Sequence, residues 1–305
     1  MYLMEVIMSR QTEKVFKQLN VYLTEHEGEL QSEEDVNRLV EAFMAKQNAR
    51  EIQDERPDAG DYLEMARKAR SKKKRLEYLQ KAREAEPENF DVLLAEAQEE
   101  SKDVDELRER LAALMSHADD LIQEYLKNDV GDFWMVLETR PYMRLRHAYL
   151  GTLIQCGMKR LAIEEGKEML RLCESDNLGV RFTLMHLYAA LEEDEPMLAL
   201  HERYEAYEET QMLLPLAAVY YRKGQMDKAR DYLLRLKKVN PDLKRFIRLA
   251  CKGDLRTILD ELPPYGYRPF TMEELAAEYA DYPFLYAEMN GFFHWAQRQL
   301  AKTKK

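Results

Sequence analysis

Apolar residues recur along this chain at the 3.6-residue period of helices that each bury one face, and short polar turns separate them. Val15, Phe16, Leu19, Val21 and Leu23 form a broad stripe that predicts a first helix over 9–26, closed by Gly28. Ser32 followed by Asp35 predicts the N-cap of a second, with Val36, Leu39, Val40 and Phe43 inward down to Ala49. Residues 51–60 are polar and hold Pro57 and Gly60, which reads as a loop. Two short apolar faces follow: Tyr62, Met65, Ala66 and Ala69, then Leu76, Leu79, Ala82 and Ala85 up to Pro87. After Phe90–Ala97, the positions Val104, Leu107, Leu111, Leu114, Ala118, Leu121, Ile122 and Tyr125 keep helical spacing for about six turns, predicting one long helix that ends at 128–131. An apolar insert, Phe133–Leu137, precedes Arg140-Pro141. Beyond Pro241, Leu243–Ala250 and Leu255–Leu262 predict two helices, and Pro263-Pro264-Tyr265-Gly266 breaks the pattern. Thr271 with Glu274 forms a capping-box pair, Phe270 and Leu275 stand where a hydrophobic staple would, and Pro283, Phe284, Leu285, Phe292, Phe293, Trp295 and Leu300 mark one last helix whose aromatic end reads as a cap.

One stretch sets the phase for the middle of the chain. Residues 210–241, TQMLLPLAAVYYRKGQMDKARDYLLRLKKVNP, carry Leu213-x2-Leu216-Ala217-x2-Tyr220, Gly224, Ala229-x3-Leu233 and Pro241. This resembles the tetratricopeptide repeat pattern W-x2-L-G-x2-Y, A-x3-F, P. The residues also make sense as a helical hairpin, with small Ala217 and Ala229 at the close approach, Leu216, Tyr220 and Leu233 in the seam, and Gly224 in the turn. Gly157 lies about two such periods before Gly224, so Met143–Asp176 reads as a second unit despite its departures at Arg146, Leu150, Gly166 and Glu174. Asn177–Glu209 lies between, with Val180, Leu184 and Leu187 on its first helix and Pro196 opening its second. The expected fold is all-α, a right-handed α-α superhelix of tetratricopeptide-like hairpins. The expected division is an N-terminal capping segment at 1–53, repeats at 54–245 and a C-terminal helical cap at 246–305.

Composition agrees with helix throughout: only 11 Gly and 10 Pro occur among 305 residues, and 46% hydrophobic residues suffice for a sizeable core. A net charge of −11 argues against a nucleic-acid binder, which needs a basic face. The one basic run, Arg67 to Arg75, reads as a solvated turn and helix face. Cys156, Cys173 and Cys251 are far apart and read as reduced, packed thiols. The start MYLMEVIM has too short an apolar run for a signal peptide, and no window approaches the roughly 18–20 apolar residues of a membrane span. A cytoplasmic protein with no membrane contact is expected.

Candidate chemistry is sparse. His26, His117, His147, His186, His201 and His294 form no H-E-x-x-H, no Cys/His set has zinc spacing, and no phosphate-binding glycine loop or G-x-S-x-G occurs. No catalytic residue, metal or cofactor is expected. Residues 81–100, KAREAEPENFDVLLAEAQEE, the RPYMRLRHAYL segment from Arg140 and the end Phe292-Phe293-His294-Trp295 are similar to the suppressor-of-tumorigenicity-seven family over 75–300. That resemblance implies no catalytic residue, and the membrane association of animal members is not matched by any span here. In tetratricopeptide proteins, positions 2, 5, 9, 12 and 13 of each first helix face the concave groove. Carried over, they are Arg144, His147, Gly151, Ile154 and Gln155, then Arg181, then Gln211, Leu214, Ala218, Tyr221 and Arg222. The resemblance implies a partner-binding groove built on Arg144, His147, Arg181, Tyr221 and Arg222, suited to an acidic peptide or protein; the same arginines also read as surface cations paired with the glutamates of neighbouring helices. Gly151 and Ala218 stand where the carboxylate-clamp variant needs other residues. The expected function is a non-catalytic protein- or peptide-binding scaffold. A peptide-responsive regulator, an enzyme with an unrecognised site near the C-terminus, and self-association as a homo-oligomer stay open.

Overall fold

The computed structural model describes residues 10–48, 57–262 and 266–302. The N-terminal MYLMEVIM, most of the loop at 51–60 and the break at Pro263–Tyr265 lie outside these residues. Among the described residues the chain forms eighteen α-helices and no β-strand. It divides into two compact units between Gly157 and Met158. That division falls inside the span expected for the repeats, in the turn of the Met143–Asp176 hairpin, so the two helices of that hairpin belong to different units.

The first unit holds α1 (Arg10–Glu25), α2 (Glu33–Asn48), α3 (Ala59–Lys68), α4 (Lys72–Ala85), α5 (Phe90–Glu100), α6 (Val104–Leu121), α7 (Gln123–Asn128) and α8 (Arg140–Gln155). α3 starts earlier than its apolar pattern, because Asp58 and Asp61 exchange hydrogen bonds with each other's backbone N–H at 2.9 and 3.1 Å and draw Gly60 into the first turn. Ala59, Leu63, Ala66, Leu79, Ala82 and Val92 make one core across α3, α4 and α5. α5 then packs on α6 and α8, and α6 on α8.

The expected long helix is broken between α6 and α7 at Ile122, with no proline or glycine present. Gln123 Nε2 donates to the Asp119 carbonyl at 2.9 Å, competing with the helix's own i to i−4 bond. Leu111, Met115, Ala118 and Ile122 are buried at helical spacing, whereas Leu121 falls off this stripe and is exposed. The apolar insert is then folded inward: Phe133 and Trp134 are buried, and Arg140 Nε holds the Trp134 carbonyl at 2.7 Å.

The second unit holds α9 (Lys159–Leu172), α10 (Val180–Ala190), α11 (Asp194–Arg203), α12 (Thr210–Arg222), α13 (Met226–Val239), α14 (Leu243–Lys252), α15 (Arg256–Asp260), α16 (Met272–Asp281), α17 (Pro283–Tyr286) and α18 (Asn290–Lys302). The α12–α13 hairpin follows its sequence pattern closely. Leu216, Ala217, Tyr220, Ala229 and Leu233 are buried in the seam, Tyr220 stacks on Tyr232 at 5.5 Å, and Gly224 makes the turn at φ 70. Gly166, a departure from the repeat pattern, has a steric reason: a Cβ there would stand 2.8 Å from Leu184 Cδ2, so α9 and α10 approach only over glycine. From α9 to α14 each helix packs on its sequence neighbour, and α10 also packs on α12. The last helices also reach back to earlier ones: α16 packs on α12 and α14 as well as on its neighbours α15 and α17, α17 also on α10, and α18 on α13 and α14.

Candidate functional site

The groove positions of α12 are covered by the chain's own C-terminal segment. Residues Thr210 through Tyr220 are all buried, so the helix has no open face until its last turn. Gln211 donates a short hydrogen bond to the Tyr267 hydroxyl, and Leu214 and Ala218 are fully enclosed. Tyr221, one residue further on, is flanked by Phe292 at 5.5 Å and Trp295 at 5.3 Å. α18 comes this close because residue 291 is glycine: a Cβ there would stand 2.9 Å from the Tyr221 hydroxyl. Arg222 remains at the rim, donating to the Ala189 and Ala190 carbonyls at 3.2 and 3.1 Å and pairing with Glu192 at 3.0 Å. Those carbonyls end α10, where a cation is favoured by the helix dipole.

Arg181 lies at the other end of the same helix pair. Its guanidinium bonds Asp176 at 3.0 Å and Glu209 at 3.4 Å, and stands over the Phe182 and Tyr204 rings. Asp176 is itself buried and caps α10, accepting from the Val180 and Arg181 N–H groups at 2.7 and 3.0 Å. Glu209 stands at the N-cap position of α12, so Arg181, held to it, and Tyr221 are separated by about 18 Å of helix axis.

Arg144 and His147 lie on α8, in the first unit. Arg144 forks onto Asp91 at 2.8 and 2.7 Å and onto Glu13 at 2.7 and 3.1 Å, which commits its guanidinium to two buried carboxylates. Burial lowers its proton affinity, but Asp91 and Glu13 more than restore it, so it is firmly charged. His147 is half-buried, and burial pushes its imidazolium down to about 4.

A constellation that the sequence pattern did not single out lies in the second unit. His186 donates from Nδ1 to the Phe182 carbonyl at 2.7 Å, which leaves Nε2 facing Glu278 Oε1 at 2.9 Å and the Tyr286 hydroxyl at 3.1 Å. The Tyr282 ring stacks on the imidazole at 3.6 Å and bonds Thr183 at 3.2 Å. Burial drives the imidazolium down to about 3, against the bond to Phe182, and drives the Glu278 carboxyl well up. The pair is therefore neutral, a carboxylic acid beside an imidazole in a water-free setting. One turn earlier on α16, Glu274 is also buried, and burial raises its carboxyl to about 7. The signal in the sequence was a pair of glutamates four apart, Glu274 and Glu278, in the run ELAAEYADYPFLY, and a histidine inside the apolar VRFTLMHLYAA. Neither can be matched to the other by spacing.

Among the described residues no group of three His, Cys, Asp or Glu side chains is placed to hold a metal ion, and no helix is long and apolar enough to cross a membrane. Cys156, Cys173 and Cys251 are free. No protein-family model, curated protein or solved structure matches the chain.

Proposed function

We propose that the chain is a non-catalytic, tetratricopeptide-like scaffold of helical hairpins in a right-handed superhelical arrangement, binding another protein or peptide in the cytoplasm. The observation that carries this is the order of packing from α9 to α14, in which each helix rests on its sequence neighbour and the first helices α10 and α12 also lie against each other. Such neighbour-by-neighbour stacking is how repeat proteins build an extended binding face. The similarity to the suppressor-of-tumorigenicity-seven family belongs to the same reading.

Within the proposed face, Tyr221 and Arg222 at the rim offer an amphipathic ring and a cation to an acidic partner, while Arg181 shapes the far end through Asp176 and Glu209. Immobilised full-length chain, crosslinked in lysate of its host and followed by peptide mapping, tests the reading. Tyr221→Phe combined with Arg222→Gln keeps the packed ring but gives up the bonds to the α10 carbonyls and Glu192, and should weaken capture at least tenfold while the chain stays folded at the temperature of the assay. Equal capture by both proteins overturns the assignment of this rim, and no specific capture by the unaltered chain overturns the scaffold reading.

A further inference from the structure

The same α10–α12 face that the repeat positions nominate for a partner is covered by one continuous segment, residues 267–302. Tyr267 meets Gln211, Tyr282 meets Thr183 and His186, Glu278 and Tyr286 meet His186, and Phe292 and Trp295 enclose Tyr221. The segment's start is clasped from the loop after α13. Asn240 Nδ2 donates to the Thr271 carbonyl at 3.1 Å, and Asp242 accepts from the Met272 N–H at 3.0 Å.

A permanent lid of this kind would be expected to be apolar, yet α16 turns two carboxyls inward, at 4% and 2% exposure for Glu274 and Glu278. Around Glu274 stand Thr210, the Phe270 N–H at 2.6 Å, and, at longer range, Glu278 and Glu209; Tyr267 also senses its charge. Around Glu278 stand His186, Tyr286 and Tyr282, with Asp281 acting at longer range. Glu278 Oε2 finds no hydrogen-bond partner among the described residues. The imidazole of His186 is held neutral, and no Lys or Arg is among the groups that act on either carboxyl. Two ionised carboxylates on successive turns of one helix face would be buried without a cation and would repel each other.

We propose that residues 267–302 are a proton-linked latch on the α10–α12 face: the segment docks while Glu274 and Glu278 carry their protons, and lifts as they ionise, freeing that face for a partner. The proposal rests on the scaffold reading for what the freed face does, but not for the opening itself. The sign follows from linkage. The docked carboxyl of Glu274 titrates near 7 against 4.5 when free, so docking is strongest below 4.5 and weakens as pH rises through about 7. Between pH 5.5 and 8, Glu274 alone raises the opening constant by on the order of thirtyfold, and Glu278 adds to this in the same direction.

Hydrogen–deuterium exchange of the full chain from pH 5.5 to 8, corrected for the intrinsic pH dependence of amide exchange, reads this directly. Amides of α16 and α18 should lose protection by at least tenfold while those of α13 hold. In Glu274→Gln with Glu278→Gln, the pH dependence should disappear. A flat profile in the unaltered chain, loss of protection by α13 in step with α18, or an unchanged slope in the double variant each overturns the latch. Because the unaltered chain is itself titrated, a variant that fails to fold does not remove the test. Lysate capture repeated at pH 5.5 and 8 separates the two readings. Opening without capture at either pH overturns the scaffold and leaves the latch, whereas opening with equal capture at both overturns the gating.

Discussion

Arg144 and Asp91, 53 residues apart, meet in a two-pronged hydrogen bond, Nε to Oδ1 at 2.8 Å and Nη2 to Oδ2 at 2.7 Å. The other edge of the guanidinium holds Glu13, which ties α1 to α8 just as Asp91 ties α5 to it. A position that the repeat pattern offers to a partner thus carries a structural ion cluster.

Arg144→Gln should destabilise the first unit by about 3–5 kcal/mol, because it leaves two buried carboxylates short of a counter-charge. Arg144→Lys should recover little, since an ammonium cannot fork onto both acids. Denaturant unfolding followed by near-ultraviolet signals of this unit checks it. Loss below about 1 kcal/mol in Arg144→Gln would show that Glu13 and Asp91 find water or another cation instead.

His147 makes the same helix acid-sensitive. Its imidazolium is held to about 4 against 6.5 when unfolded, so its contribution is complete above pH 6.5 and is lost as pH falls toward 4. The loss by pH 4.5 should be about 2 kcal/mol, allowing for its partial exposure. Amide exchange of α8 at pH 7 and 4.5, compared with His147→Gln, measures it. An equal acid loss in the variant would assign the effect to other groups.

Gly291 and Tyr221 should be energetically coupled. Gly291→Ala sets a Cβ at 2.9 Å from the Tyr221 hydroxyl, and the ring is held on two sides by Phe292 and Trp295. The expected cost is about 1–2 kcal/mol of overpacking, which outweighs the helix-propensity gain of alanine. With Tyr221→Phe the hydroxyl is gone, and the same Gly291→Ala change should become neutral or stabilising by up to about 1 kcal/mol. A double-mutant cycle without coupling would mean that α18 shifts to make room.

The helical elements were largely legible because one-face burial writes a 3.6-residue period into any chain that folds this way. Residues 210–241 show it best: the expected turn glycine, seam residues and stop at Pro241 match α12, Gly224 and α13. The expected continuous helix from Val104 to Tyr125 fails for a local reason invisible to periodicity, the Gln123 side chain bonding a backbone carbonyl.

What the sequence determined by itself is therefore the helical class and the placement of most helices, since these depend on neighbours three and four residues away. The tertiary structure decided which faces stay open and which acids keep their protons. His186 and Glu278 stand 92 residues apart, and only the return of the C-terminal segment onto α10 sets them 2.9 Å from each other, away from water. Exclusion of solvent, which no residue carries in its own identity, turns an ordinary glutamate and histidine into a neutral buried pair and closes a face that spacing alone presents as a groove.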